Sequence, residues 1–155
     1  MASGLDIAGT QQEIFDFIEA NAPTEYQVVE GDVQDAYTIA EMDGIRQPLW
    51  VVQFADMLPA SGEGSFKGAR HGGYYSLFRV YSVASSASVA RKANSVMNQL
   101  MLGEKFSNTG EVNKIFGGGS FTLGESSSRP IAYVTIASFQ FATNVTGVGS
   151  AVFPE

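Results

Sequence analysis

The stretch that most constrains the fold is residues 74–103, where a strand pattern runs directly into a helix pattern. Residues 74–83 (YYSLFRVYSV) are aromatic and β-branched, which is typical of a half-buried β-strand. Apolar residues then recur with the period of an α-helix, at Val89, Ala93, Val96, Met97 and Leu100. The sequence therefore predicts a strand that leads into an amphipathic helix packed on its own sheet.

Both ends of this helix are marked in the sequence. Ser85 or Ser86 can cap the first turn with a hydroxyl oxygen, and Gly103 suits the left-handed backbone that commonly follows a helix. We therefore predict a helix over about residues 86–102, after a strand over residues 74–83.

One more helix and two strands are predicted earlier in the chain. Thr10 and Glu13 have the spacing of a capping box, which predicts a helix over about residues 11–21. Its apolar face consists of Ile14, Phe17 and Ile18. Strands are expected over residues 26–33 and 49–55, and the residues between them, 34–47, are polar and mixed with a turn near Gly44.

Glycine-rich segments interrupt the rest of the chain. Residues 59–73, called the arm below, hold five glycines and predict a flexible loop or long β-arm between antiparallel strands. Residues 104–128 are also polar and glycine-rich. The longest predicted strand covers residues 131–143, and residues 144–155, called the tail below, show no helix pattern.

These elements predict a single domain over residues 1–155. We expect an α+β fold, in which a mostly antiparallel β-sheet is flanked by two α-helices and carries long β-arms or loops. No apolar run approaches the ~20 residues of a membrane helix, and residues 1–9 lack the basic and apolar regions of a secretory signal. We therefore expect no membrane partner.

Few side chains in the sequence suit a catalytic or metal-binding role. The absence of cysteine excludes disulfides, thiolate nucleophiles and cysteine-based zinc sites. His71 is the only histidine, and no Gly-x-Ser-x-Gly elbow accompanies it. Residues 117–120 (GGGS) precede a strand pattern, whereas a phosphate-binding loop opens a helix. We expect no catalytic residue, no cofactor and no enzymatic activity.

Two pairs of carboxylates, Glu30 with Asp32 and Asp32 with Asp35, have the ligand type that Ca²⁺ or Mg²⁺ prefers. Neither pair follows the twelve-residue calcium-loop pattern, so we interpret them as surface acids and expect no metal site. The net charge is −7, from 16 acids and 9 bases. A protein that grips nucleic acid usually carries a basic surplus, so specific DNA binding is not expected.

The order of these elements resembles the tail terminator (tail completion) proteins of long-tailed bacteriophages. The resemblance centres on residues 84–87 (ASSA), 90–93 (ARKA) and 100–103 (LMLG), which lie at the strand-to-helix junction, in the helix and at its end. The early helix, the strand over residues 49–55 and the closing strand that begins at residues 129–133 (RPIAY) occupy matching places. The resemblance covers most of the chain as an order of elements rather than as a short motif.

The resemblance implies a structural protein of the virion neck or tail, assembled in the host cytoplasm. Its copies would form a homo-oligomeric ring, a hexamer in this family, that caps the tail tube and joins it to the head–tail connector. Its partners would be further copies, the tail tube protein and the connector. DNA would pass through the lumen without being bound specifically, which suits an acidic chain.

The arm and the tail are the candidate contact segments. Their candidate interface residues are Phe66, Lys67, Arg70 and His71 in the arm, and Val152 and Phe153 in the tail. Two alternative functions remain open from the sequence. One is another phage neck or tail protein, such as a connector or tube subunit. The other is a small-ligand-binding α+β domain with an aromatic pocket lined by Trp50, Phe54, Phe78 and Tyr81.

Overall fold

A computed structural model describes residues 7–59, 73–107, 109–115, 118–124 and 130–144 of the chain. Its helices and strands are, in chain order, α1 (Ile7–Asn21), β1 (Gln27–Glu30), α2 (Val33–Asp43), β2 (Leu49–Pro59), β3 (Gly73–Ala84), α3 (Ala87–Met101), β4 (Asn113–Lys114), β5 (Gly119–Leu123) and β6 (Ala132–Asn144). The strand predicted over residues 74–83 and the helix predicted over residues 86–102 thus lie within one or two residues of β3 and α3.

The six strands form one mixed sheet in the order β1-β2-β3-β6-β4, and β5 pairs with β6 beside β4. β1 and β2 run parallel, whereas β2–β3, β3–β6, β4–β6 and β5–β6 are antiparallel. The predicted α+β fold with a mostly antiparallel sheet is confirmed. The parallel pair at one edge was not predicted, and it follows from α2, which connects β1 to β2 as a crossover helix.

The two faces of the sheet bury separate apolar clusters. One face, called the front face, packs against α1 and α3; its largest buried sheet residues are Trp50, Val52, Phe78, Val80, Phe139 and Phe141. The other face, called the back face, packs against α2 and buries Leu49, Val51, Tyr81, Val83 and Val134. Successive residues of each strand alternate between the two clusters, because side chains on a strand alternate between faces.

The helix α3 has the ends and the apolar face that its sequence predicts. The Ser86 hydroxyl accepts a hydrogen bond from the Val89 backbone N–H at 3.3 Å, so Ser86 rather than Ser85 is the N-cap. Ala90, Ala93, Met97 and Met101 are the buried residues of the helix. Gly103 follows the helix with φ +86°, in the left-handed region that favours glycine.

The helix α2 lies in the segment that was described as polar and mixed, and it adds a third helix to the two that the sequence predicts. Asp32 is its N-cap: the Asp32 carboxylate accepts from the Gln34 and Asp35 backbone N–H groups, and the Asp35 carboxylate accepts from the Asp32 N–H. This reciprocal pair is a capping box. The helix buries only two small residues, Ala36 and Ala40, which explains why no clear apolar period shows in the sequence.

The helix α1 begins earlier than predicted. It starts at Ile7, and Thr10 lies inside it as a buried residue, so the capping box proposed for Thr10 and Glu13 was wrong. The Glu13 carboxylate instead accepts a hydrogen bond from the Ser107 backbone N–H at 3.2 Å. Ile14 and Ile18 are fully buried, as the apolar spacing predicts. In the described part of the chain, no helix is long and apolar enough to cross a membrane.

Candidate functional site

The predicted interface residues of the arm and the tail, Phe66, Lys67, Arg70, His71, Val152 and Phe153, lie outside the described residues. The structure does describe the points where these segments leave the sheet. Pro59 pairs with Tyr74 on β2 and β3, and Gly73 pairs with Asn144 on β3 and β6. Both roots of the arm and the root of the tail therefore lie on three adjacent strands at one end of the sheet.

The same end of the sheet carries an uncovered part of the back face. The buried cluster under α2 ends at Val51 and Tyr81. Beyond these residues Ser138 is buried, but five other back-face positions are half-buried or exposed; they are Gln53, Ala55, Leu77, Arg79 and Gln140, called the open back face below. The strand register places Gln53 opposite Arg79 and Leu77 opposite Gln140.

A hydrogen bond marks the border between the covered and the uncovered half. The Tyr81 hydroxyl donates a hydrogen bond to the Gln53 side-chain oxygen at 2.7 Å. Tyr81 is only 5% exposed, whereas Gln53 is half-buried. Tyr81 thus keeps its apolar ring under α2 and directs its polar end to the open back face, as a partly buried tyrosine usually does.

A groove of about 370 Å³ runs over the open back face and is lined by Gln53, Ala55, Leu77, Arg79 and Ile115, together with Phe54 and Phe78. Among these lining residues Arg79 alone carries a charge, and its side chain is exposed. A guanidinium group in this position can form a bidentate ion pair with a carboxylate of a partner. The groove thus offers one charged anchor among apolar and amide groups, which suits binding rather than bond-breaking chemistry.

Two of the three carboxylates considered as metal ligands, Asp32 and Asp35, have a structural role. Asp32 and Asp35 are committed to the capping box of α2. In residues 7–59, 73–107, 109–115, 118–124 and 130–144, no three acidic or histidine side chains come together as a candidate metal site.

The aromatic pocket considered for a small ligand does not form from its four proposed residues. Trp50 and Phe78 are buried in the front-face cluster, against which Phe54 packs, whereas Tyr81 belongs to the back-face cluster. The four residues cannot line one pocket because the sheet separates Tyr81 from the other three. Phe54 and Phe78 instead pack against each other with tilted rings, whose centroids lie 5.9 Å apart.

One titratable group in the core has a shifted pKa. Burial raises the pKa of the Tyr26 hydroxyl, and the nearby Glu25 carboxylate raises it further. The Tyr26 ring packs edge-on against Trp50, with ring centroids 4.9 Å apart. The phenol is therefore protonated at neutral pH, and its role is packing of the front-face core.

Sequence reasoning missed the open back face, although a signal for it exists. In β3 the apolar residues Phe78 and Val80 alternate with Leu77 and Arg79, so a charged residue stands on one face of a strand that is otherwise uncharged. What the sequence did not reveal is that α2 covers only part of that face. No protein-family model matches this chain, and no curated protein matches its sequence.

Proposed function

We propose that this chain is a structural protein of long-tailed bacteriophage virions: a tail terminator that forms a ring, caps the tail tube and joins it to the head connector. The resemblance in element order motivates the proposal. The described part of the chain adds a binding surface without a cluster of catalytic or metal-ligating groups, and such a surface suits mechanical and interfacial work.

The observation that carries the proposal is the position of the arm and the tail. Both segments begin at the end of the sheet where the back face is uncovered. A surface that meets a tube needs contact segments and an exposed face on the same side of the subunit. We therefore assign the open back face, the arm and the tail to contact with the tail tube protein.

The acidic balance of the chain fits passage of DNA through a ring. With a formal charge of −7, the subunits repel the phosphate backbone on average, so the lumen wall does not retain the genome. DNA is thus a passing molecule and not a specific partner in this proposal.

Light scattering coupled to size exclusion, at several protein concentrations, tests the ring. We expect a species of six times the 16.5 kDa chain mass, with sixfold images in negative stain. If the ring closes only on a tube, we expect instead that the protein sediments with assembled tail tubes. A protein that stays monomeric at all concentrations and does not bind tail tubes would contradict the proposal.

A further inference from the structure

The charges of this chain are divided unevenly along its sequence. Residues 1–45 hold ten acids and no lysine, arginine or histidine, which gives a formal charge of −10. Residues 46–155 hold six acids and nine lysines and arginines, which gives +3, and the two parts together give the net −7. An even distribution of the same charges would keep the protein equally soluble. The uneven distribution therefore indicates that the charges serve a specific contact.

Folding places the acidic part at one edge of the sheet. β1 is the first strand in the sheet order, and α1 and α2 pack on its two sides. Five acids of these elements are exposed: Asp16, Glu19, Glu30, Asp35 and Glu41, called the acidic edge below. No basic residue within this part of the sequence neutralises them.

The opposite edge of the sheet is basic. There β5 pairs with β6, and α3 packs on the front face beside them. α3 contains no acid, and its exposed Arg91 and Lys92 lie in its first half. Arg91 also lines a groove of about 220 Å³ between α3 and β5, together with Ala87, Phe121, Thr122 and Tyr133, called the basic groove below.

The basic groove has features of an interface as well as a charge. Phe121 is 37% exposed on β5, and Val89 is 38% exposed on the first turn of α3, so each of the two elements that form the groove exposes a large apolar side chain. Within the described residues β5 pairs with β6 alone, which leaves its outer backbone edge open for a further contact. An aromatic and an arginine at one groove are the residue types that most often anchor a protein interface.

The two edge strands, β1 and β5, lie far apart within one subunit. Four strand spacings separate β1 from β5, which amounts to roughly 19 Å. This exceeds the Debye length of about 8 Å at physiological ionic strength. Charges on β1 and charges beside β5 can therefore attract each other strongly only when they come from different molecules.

We propose that the acidic edge of one copy docks on the basic groove of the next copy. The contact joins different surfaces of two identical chains, so it propagates from copy to copy and closes into a ring when the rotation allows. A contact of the acidic edge with itself would set like charges against each other, which disfavours that pairing. This inference rests on the proposed ring and adds the surfaces that hold it together.

Charge reversal tests the contact directly in the full chain. The groove variant Arg91→Glu/Lys92→Glu and the edge variant Glu19→Lys/Glu30→Lys each place like charges together. We expect each variant alone to raise the dissociation constant for self-association at least tenfold. An equimolar mixture of the two, or one chain with all four changes, should regain association because opposite charges face each other again.

A control carries the same charge change outside the basic groove. Arg46→Glu/Lys105→Glu reverses two exposed basic residues outside the basic groove and should associate like the wild type. Thermal unfolding of every variant is measured as well, so that a loss of association can be distinguished from a loss of folding. The wild-type ring should also weaken as NaCl rises from about 0.05 to 0.5 M, because salt screens exposed charge pairs.

The outcomes separate this inference from the proposed function. If the wild type forms a ring and the groove variant forms the same ring, the proposed contact is overturned, whereas the proposed ring is supported. If the largest wild-type species is a dimer, a head-to-tail contact is overturned, since an isologous contact stops at two copies. If the wild type stays monomeric in solution and does not assemble on tubes, both the contact and the proposed ring are overturned.

Discussion

The Trp50 indole N–H donates a hydrogen bond to the Ser82 hydroxyl oxygen at 3.1 Å, between two side chains that are both fully buried. The two residues lie directly opposite each other on β2 and β3. The bond satisfies the one polar group of the largest side chain in the front-face core. It also fixes the register of the central strand pair.

The first prediction is that Ser82→Ala destabilises the fold by about 1–3 kcal/mol, because it leaves a buried indole N–H without an acceptor. Urea unfolding measures the free energy. Ser76→Ala is the matched control: Ser76 is also buried on the same face of β3, but its hydroxyl has no hydrogen-bond partner among the described residues. Ser76→Ala should be neutral or stabilising, and an equal loss in both variants would contradict this account of the bond.

The second prediction concerns the N-cap of α2. Asp32→Ala should cost about 1 kcal/mol of unfolding free energy, because the Gln34 and Asp35 N–H groups lose their acceptor. Asp32→Asn should retain most of the stability, since asparagine also caps helices well. Gln34→Ala, at an exposed position within the same turn, controls for helix propensity. If Asp32→Asn lowers the unfolding free energy as much as Asp32→Ala does, the loss of the N-cap is not the cause of the destabilisation.

The third prediction compares two glycines beside β6. A Cβ atom on Gly118 would lie 2.5 Å from the Ile136 backbone oxygen, whereas one on Gly110 would lie 3.7 Å from the Ala142 Cβ. Gly118→Ala must therefore push β5 from β6, and we expect a loss of about 1–3 kcal/mol. Gly110→Ala should change stability by much less. Thermal unfolding of both variants under the same conditions measures the difference in stability. Equal unfolding midpoints would contradict the close approach at Gly118.

The fourth prediction addresses the open back face. Arg79→Glu should leave the mass of the ring unchanged and weaken sedimentation with tail tubes at least tenfold, because it removes the charged anchor of the groove. Arg46→Glu, an equal charge change at an exposed site outside that groove, serves as the control. Equal tube binding by the two variants would remove the open back face from the tube contact.

The elements with strong periodicity could be predicted from the sequence, and the weakly patterned ones could not. α3 shows a full apolar period with a serine cap and a glycine stop, so its place was clear. α2 buries only Ala36 and Ala40, and small residues leave a weak period. Its capping box at Asp32 and Asp35 and the glycine at residue 44 were the signals that could have revealed it.

The candidate site was harder to predict because it depends on what covers a sheet face. The alternation in β3 assigns Arg79 to the face of Tyr81, but only the fold shows that α2 stops short of Arg79. The parallel pairing of β1 with β2 likewise depends on the unpredicted helix between them. The contact residues predicted in the arm and the tail stay predictions, since they lie outside the described residues.

The most direct test of the central claim is the position of this protein on assembled tail tubes. Electron microscopy of tubes mixed with gold-labelled protein would show where it binds. The account predicts one label cluster at one end of each tube and an arrest of further tube growth. Labels spread along the tube, or tubes without label that grow at an unchanged rate, would contradict a terminator function.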